Sequence, residues 1–83
     1  MIIKYFSWIK EHIGKSEEQV SLPSHITDVI QLINYLNEID EKYNIIFEKR
    51  ELIKIAVNKK YSSFYTNISD NDEIAFFPPV TGG

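Results

Sequence analysis

The sequence has no cysteine, only three glycines and only three prolines among its 83 residues. Without cysteine, disulfides and thiolate metal ligands are excluded. Because glycine occurs only at positions 14, 82 and 83, glycine-rich phosphate loops and the nucleophile elbow of hydrolases have no counterpart here. His12 and His25 lie far apart, with no cysteine to complete a zinc set. We therefore predict no metal site, and the common enzyme motifs find no match.

Long apolar runs and a basic stripe are also missing. No apolar run approaches the roughly 20 residues that a membrane-spanning helix needs, and the early Lys4 argues against a signal peptide. The net charge is −3 and the lysines are scattered, which does not indicate nucleic-acid binding. We therefore expect a cytoplasmic protein that binds neither membrane nor nucleic acid. The acidic balance favours a partner with a basic docking surface.

The hydrophobic pattern predicts a small α+β domain. Strands are predicted over residues 2–6 and 17–22, around a short amphipathic segment that Gly14 ends. A helix is predicted over 29–42, with Asp28 as N-cap and Gln31 at the capping-box position. Its apolar stripe comprises Val29, Leu32, Ile33, Leu36, Ile39 and Tyr43. Further strands are predicted over 53–58, 61–63 and 73–77, with turns at 58–60 and 69–72.

A single long helix covers only one face of a sheet, so the other face should be open. Side chains alternate along a strand. If Phe76 lies in the core, Phe77 faces solvent or a partner. An aromatic side chain on an open face is a candidate interaction residue.

The last residues form an unusual tail. Proline fixes the backbone in an extended form and cannot pair into a following strand, so Pro78 and Pro79 should direct the tail away from the sheet. Residues 78–83 could span roughly 20 Å when extended. Glycine has no Cβ, so Gly82 and Gly83 could enter a narrow channel and expose the terminal carboxylate to another protein's catalytic groups.

The tail also carries a family resemblance. After the acidic turn at Asp70 to Asp72, the chain ends in Glu73-Ile74-Ala75-Phe76-Phe77-Pro78-Pro79-Val80-Thr81-Gly82-Gly83. This segment resembles the terminal signature of the small subunits of molybdopterin synthase. The resemblance extends to the segment from Tyr5 to Gly14, to the predicted helix and to Ile55-Ala56-Val57-Asn58.

The resemblance implies a ubiquitin-like β-grasp fold: a mixed sheet with one main helix packed on one face, over residues 1–77, and an extended tail, 78–83. It implies a sulfur carrier whose working group is the carboxylate of Gly83. An ATP-dependent adenylyltransferase similar to ubiquitin-activating enzymes would adenylate Gly83, and a cysteine-desulfurase relay would convert it to a thiocarboxylate. The tail would then enter a large synthase subunit and donate sulfur to the pyranopterin precursor.

The same resemblance implies a heterotetramer of two small and two large subunits, with no permanently bound cofactor and no catalysis by this chain alone. By position, Phe6, Tyr61 and Phe77 match open-face contacts in the family's partner interfaces, although each could instead be an ordinary core aromatic.

Three other functions remain open at this point. A ubiquitin-like modifier would couple Gly83 to lysines of other proteins instead of handing over sulfur. A thiamine-pathway sulfur carrier would share the chemistry, but those tails usually lack Phe-Phe-Pro-Pro. A plain interaction module would carry the same domain with an inert tail.

Overall fold

The computed structural model describes residues 1–79, and it folds them into five strands and three α-helices. In chain order these are β1 (Ile2–Tyr5), α1 (Ser7–Ile13), β2 (Glu17–Gln19), α2 (Val29–Ile39), α3 (Asn44–Glu48), β3 (Lys54–Val57), β4 (Lys60–Ser62) and β5 (Glu73–Phe77). Short 3-10 turns, Glu41–Tyr43 and Arg50–Leu52, flank α3. The predicted α+β class is therefore confirmed.

The strands form one mixed sheet in the order β2-β1-β5-β3-β4. β1 and β5 run parallel at its centre, and all other neighbours are antiparallel. The core side of each central strand is apolar: Ile3 and Tyr5 on β1, Ile74 and Phe76 on β5, and Ile55 and Val57 on β3. This is the β-grasp arrangement that the resemblance implied.

The main helix begins as predicted and ends early. The Asp28 side chain accepts a hydrogen bond from the Gln31 backbone N–H at 2.8 Å, which caps the helix. The Gln31 side chain does not complete the capping box with Asp28; its oxygen accepts from the Thr27 backbone N–H at 2.7 Å, one residue earlier. The helix ends at Ile39, because Asp40 adopts an extended backbone.

The early end of α2 changes the predicted stripe at one position. Val29, Leu32, Ile33 and Leu36 are buried, whereas Ile39 is 64% exposed, so its assignment to the core was wrong. Tyr43 is buried as predicted, but it returns to the core from the 3-10 turn that Asp40 starts, not as a continuation of the helix.

Two further differences concern short elements. The second strand is confined to Glu17–Gln19, shorter than predicted. The helix α3 was missed because it has five residues and a single buried side chain, Ile46. Helical periodicity is not visible over so few positions.

Candidate functional site

The face of the sheet opposite the helices, called here the open face, is formed by the strand residues that alternate with the core. On β5, Ile74 and Phe76 are buried, while Ala75 and Phe77 point to the open face and are partly exposed. The predicted assignment of Phe76 to the core and Phe77 to the other side is therefore confirmed. Phe76 is fully buried and stacks on Tyr5 with ring centroids 6.0 Å apart.

Strand register brings small residues to the centre of the open face. Ala75 of β5 lies opposite Lys4 of β1 and Ala56 of β3, and Ala56 lies opposite Tyr61 of β4. Because alanine side chains are short, the larger side chains around them leave a depression. Phe77, opposite Lys54 on β3, stands at one end of it.

Two grooves meet at Phe77. The first groove runs over the alanines and is lined by Lys4, Phe6, Ala56, Lys59, Glu73, Ala75, Phe77 and Pro78. The second groove lies toward β4 and is lined by Lys54, Ile55, Tyr61, Ser62, Phe77 and Pro79. The Phe77 side chain thus lines both grooves. Of the two prolines that follow it, Pro78 lines the first groove and Pro79 lines the second.

The three aromatic residues that the sequence singled out all lie on the open face. Phe6 is 47% exposed and Tyr61 is 80% exposed, so neither is a core residue. The Tyr61 ring tilts against the Phe77 ring, with centroids 5.8 Å apart. These residues form one exposed aromatic surface, and their contact with a partner stays a prediction.

The predicted tail begins where the sheet ends. β5 stops at Phe77, and Pro78 and Pro79 continue beside the two grooves. The Phe6 backbone N–H donates to the Phe76 carbonyl at 3.1 Å, which holds the end of β5 against the start of α1. The remaining predicted site residues, Val80, Thr81, Gly82 and Gly83, lie outside the described residues.

The opposite side of the sheet holds a polar cluster that the sequence did not reveal. One carboxylate oxygen of Glu18 accepts hydrogen bonds from the Tyr5 hydroxyl at 2.7 Å and from the Tyr43 hydroxyl at 2.6 Å. Lys15 reaches the other oxygen at 3.3 Å. The cluster ties the edge strand β2 to β1 and to the 3-10 turn after α2.

The pKa values of this cluster follow from its burial and hydrogen bonds. Burial acts to raise the Glu18 pKa, but the hydrogen bonds from Tyr43 and Tyr5, together with Lys15, outweigh it and lower the pKa. Burial, then the bond to Glu18, raises the pKa of both Tyr5 and Tyr43. The cluster therefore holds an ionised carboxylate between two neutral hydroxyls, and its role is to hold β2 in place.

Within residues 1–79, no three His, Asp or Glu side chains are placed so that they could share a metal ion. None of the helices in that part of the chain has the length and apolar character needed to cross a membrane.

Sequence reasoning missed the residues that shape the open face beside the aromatics. Strand alternation, applied to β1 and β3 as it was to β5, would have placed Lys4, Lys54 and Ala56 on the same face as Phe77. The signal was therefore present in the sequence, but the relative order of the strands was needed to bring these residues together.

Comparison with known proteins covers almost the whole chain. The model of the ThiS family matches residues 3–83. The molybdopterin synthase sulfur carrier subunit of Dictyostelium discoideum is 39% identical, over 98% of this chain and 93% of that protein. The protein of the same name in Escherichia coli is 31% identical, over 98% of this chain and 96% of that protein.

Solved structures show the same fold. A putative molybdopterin converting factor subunit 1 from Pyrococcus furiosus superposes with a TM-score of 0.73 and 30% identity, covering 95% of each chain. Small archaeal modifier protein 1 from Haloferax volcanii gives 0.74 at 21% identity, covering 96% of this chain and 97% of that one. A chain of the complex of subunits 1 and 2 of molybdopterin-converting factor from Helicobacter pylori gives 0.62 at 23%, covering 99% and 96%.

The two structures below 25% identity support the fold assignment and nothing more specific. The family model shows more than the fold, because it matches from the first strand through Gly82 and Gly83. The two named relatives are 39% and 31% identical and cover 98% of the chain. Together with the β-grasp fold, these matches show that this chain belongs to the ThiS family.

Proposed function

We propose that this chain is the sulfur carrier subunit of a molybdopterin synthase and that the carboxylate of Gly83 carries the sulfur. The observation that carries the proposal is that relatives with this name align over 98% of the chain. The position of Pro78 and Pro79, at the end of a central strand and beside an exposed aromatic surface, supports it. A partner that covers the open face would receive the tail next to its own docking surface.

The proposed chemistry takes place on the tail and requires activation of the carboxylate followed by sulfur transfer. A Gly83 carboxylate oxygen attacks the α-phosphorus of ATP, pyrophosphate leaves, and an acyl-adenylate forms. A persulfide on a cysteine-desulfurase relay then attacks the acyl carbon, and AMP leaves. A second thiol of the relay cleaves the sulfur–sulfur bond of the resulting acyl disulfide, which releases the thiocarboxylate and leaves a disulfide on the relay. Adenylation is needed because a carboxylate oxygen is by itself a poor leaving group.

The catalytic groups would come from partners. An adenylyltransferase similar to ubiquitin-activating enzymes performs the first step with ATP in the cytoplasm. A large subunit then shields the thiocarboxylate while its sulfur passes to the pyranopterin precursor and the carboxylate is regenerated. The Helicobacter pylori structure is a complex of two such subunits, which supports a large-subunit partner here. We extend this to two small and two large subunits, with this chain as a non-catalytic carrier.

The alternatives differ in what the activated tail does next. The names of the relatives do not favour a thiamine-type carrier. The modifier function has only a shared fold in its support, since small archaeal modifier protein 1 is 21% identical to this chain. Both carrier and modifier would begin with adenylation, so the acceptor of the acyl group separates them.

The experiment that tests the proposal uses the terminal carboxylate. Deletion of Gly83, or a tag fused after it, should abolish sulfur transfer by the reconstituted synthase and leave thermal unfolding nearly unchanged, because Gly83 follows the last strand by several residues. Mass spectrometry of the unmodified chain from cells should show the gain expected when sulfur replaces one oxygen. Full activity with a blocked C-terminus would contradict the carrier function.

A further inference from the structure

The charges of this chain are divided unevenly between the helices and the β3–β4 hairpin. From Leu52 to Ser69 the sequence has no acidic residue, and its charged side chains are Lys54, Lys59 and Lys60. The helical segment before it, from residue 38 to 51, is acidic on balance: it carries Glu38, Asp40, Glu41, Glu48 and Glu51 against Lys42, Lys49 and Arg50. The net charge of −3 therefore conceals a basic region next to the point where the tail leaves the sheet.

Two of these lysines lie on the open face. Lys54 lines the second groove, and Lys59 lines the first. The other lysine of the first groove, Lys4, is already paired with Glu73 at 3.2 Å. Within residues 1–79, neither Lys54 nor Lys59 has a carboxylate oxygen within 4.0 Å. Their charges are thus available to another molecule.

The backbone at Lys59 is strained in a way that favours glycine. Asn58 and Lys59 have φ angles of 52° and 68° in the tight turn between β3 and β4, a conformation in which glycine is preferred and most side chains are disfavoured. Asn58 tolerates it. Lysine at the second position is therefore conformationally unfavourable, and backbone strain of this kind is concentrated at functional sites in proteins.

The turn that holds Lys59 is rigidly attached to the sheet. The Asn58 side chain donates to Asp72 at 2.9 Å and accepts from the Glu73 backbone N–H at 3.0 Å. The Asn58 backbone N–H donates to the Glu73 carbonyl at 2.8 Å. Lys59 is therefore held beside the first groove before any partner arrives, which lowers the ordering cost of binding.

We infer that the partner surface covering the open face is apolar at its centre and carries carboxylates at its margin, opposite Lys54 and Lys59. This inference rests on the proposed function, in which that partner is the large subunit. It replaces the expectation of a basic docking surface, because the local charge at the grooves is opposite in sign to the charge of the whole chain. Charges at the margin of an interface act mainly on the association rate and on partner selection.

A second copy of this chain fits the same face poorly. A two-fold symmetric contact places the same patch on both sides, so both copies would bring the same excess of positive charge to the contact. Like charges brought together in this way oppose association. The open face therefore fits a protein partner with carboxylates at its margin better than it fits a second copy.

The test measures association of the full chain with the purified large subunit of the same organism, by stopped flow at low and high ionic strength. Lys54→Glu and Lys59→Glu should each slow association by about three- to tenfold at low ionic strength, with little difference at high ionic strength. Lys49→Glu, at an exposed position after α3, is the matched control and should retain the wild-type rate.

A third variant separates the charge of Lys59 from folding. Lys59→Gly should raise the midpoint of denaturant unfolding, because it relieves the positive φ, and should still slow association. A variant that binds more slowly only because it is misfolded would show the opposite change in its midpoint.

The outcomes are distinguishable. Wild-type rates for both groove lysine variants, or faster association, would overturn the inference and leave the carrier function standing. Absence of any binding by the wild-type chain would overturn the proposed function and the inference with it. Self-association of the wild-type chain that Lys54→Glu abolishes would assign the face to a second copy and overturn the acidic-partner inference.

Discussion

Glu18 shows how one side chain can connect three parts of this small domain. Its carboxylate accepts hydrogen bonds from two tyrosine hydroxyls, those of Tyr5 on β1 and Tyr43 after α2. Because Tyr5 is almost fully buried, its hydroxyl has no access to bulk water as a substitute acceptor. An unsatisfied buried hydroxyl costs about 1–3 kcal/mol, and a hydrogen bond to an ionised acceptor is stronger than one to a neutral acceptor. The Glu18 carboxylate therefore stabilises the edge strand through charge-assisted hydrogen bonds.

This arrangement predicts a pH-dependent effect of Glu18→Gln. The Glu18 pKa is lowered in the folded state, so its ionisation contributes stability above the unfolded pKa of about 4.3. That contribution is lost as the pH falls through the lower folded value. Near neutral pH, Glu18→Gln should reduce the free energy of unfolding by about 1–2 kcal/mol, and the difference from wild type should shrink under acid conditions.

Urea unfolding at neutral and at acid pH measures this difference. Glu17→Gln is the matched control, because Glu17 is an exposed neighbour on the same strand, and it should have little effect at either pH. A constant difference between wild type and Glu18→Gln across the range would show that Glu18 does not titrate with a lowered pKa.

At the scale of single elements, β5 combines a core side and an open-face side in adjacent residues. Phe76 is fully buried, and Phe77 lies between two open-face grooves. Phe76→Ala should therefore cost about 3–5 kcal/mol of stability. Phe77→Ala should cost less stability but weaken binding to the large subunit, as loss of an interface aromatic does. Denaturant unfolding and a binding titration of both variants provide the comparison; greater destabilisation by Phe77→Ala would contradict the assignment.

The predictable elements were those whose signal is local. The Asp28 cap, the first turns of α2 and the alternation along β5 were correct because each depends on neighbouring residues. Ile39 was misplaced because Asp40 ends the helix, and no residue type at that point marks the end. The Glu18 cluster could not be predicted, since it depends on β1, β2 and the segment after α2 meeting in space. The positive charge that Lys54 and Lys59 bring to the grooves could not be predicted either, because the strand order is needed to place both lysines beside Phe77.

At the scale of the whole molecule, the two prolines that begin the tail bear on its acceptor. Pro78 and Pro79 limit the directions in which the few remaining residues can point. Such a tail suits one shaped channel better than lysines at varied positions on many proteins. We therefore expect immunoblots of cell extract to show essentially the unconjugated chain, together with a co-purifying large subunit.

Deletion of Gly83 serves as the control for that experiment, because any true conjugate must disappear with it. A series of larger species that survives boiling in denaturant and thiol, and is lost in the deletion, would instead establish the modifier function. Adenylation assays would be positive in either case and do not discriminate.

The parallel pairing of β1 with β5 has a consequence for how this domain is made. The two strands at the centre of the sheet are Ile2–Tyr5 and Glu73–Phe77, so a ribosome must translate nearly the whole domain before they can meet. Contacts between such distant segments also make folding slower than local contacts do. A nascent chain that stops before β5 lacks both its core aromatic Phe76 and its open face. Translation products that stop before β5 would therefore present no complete open face to a partner.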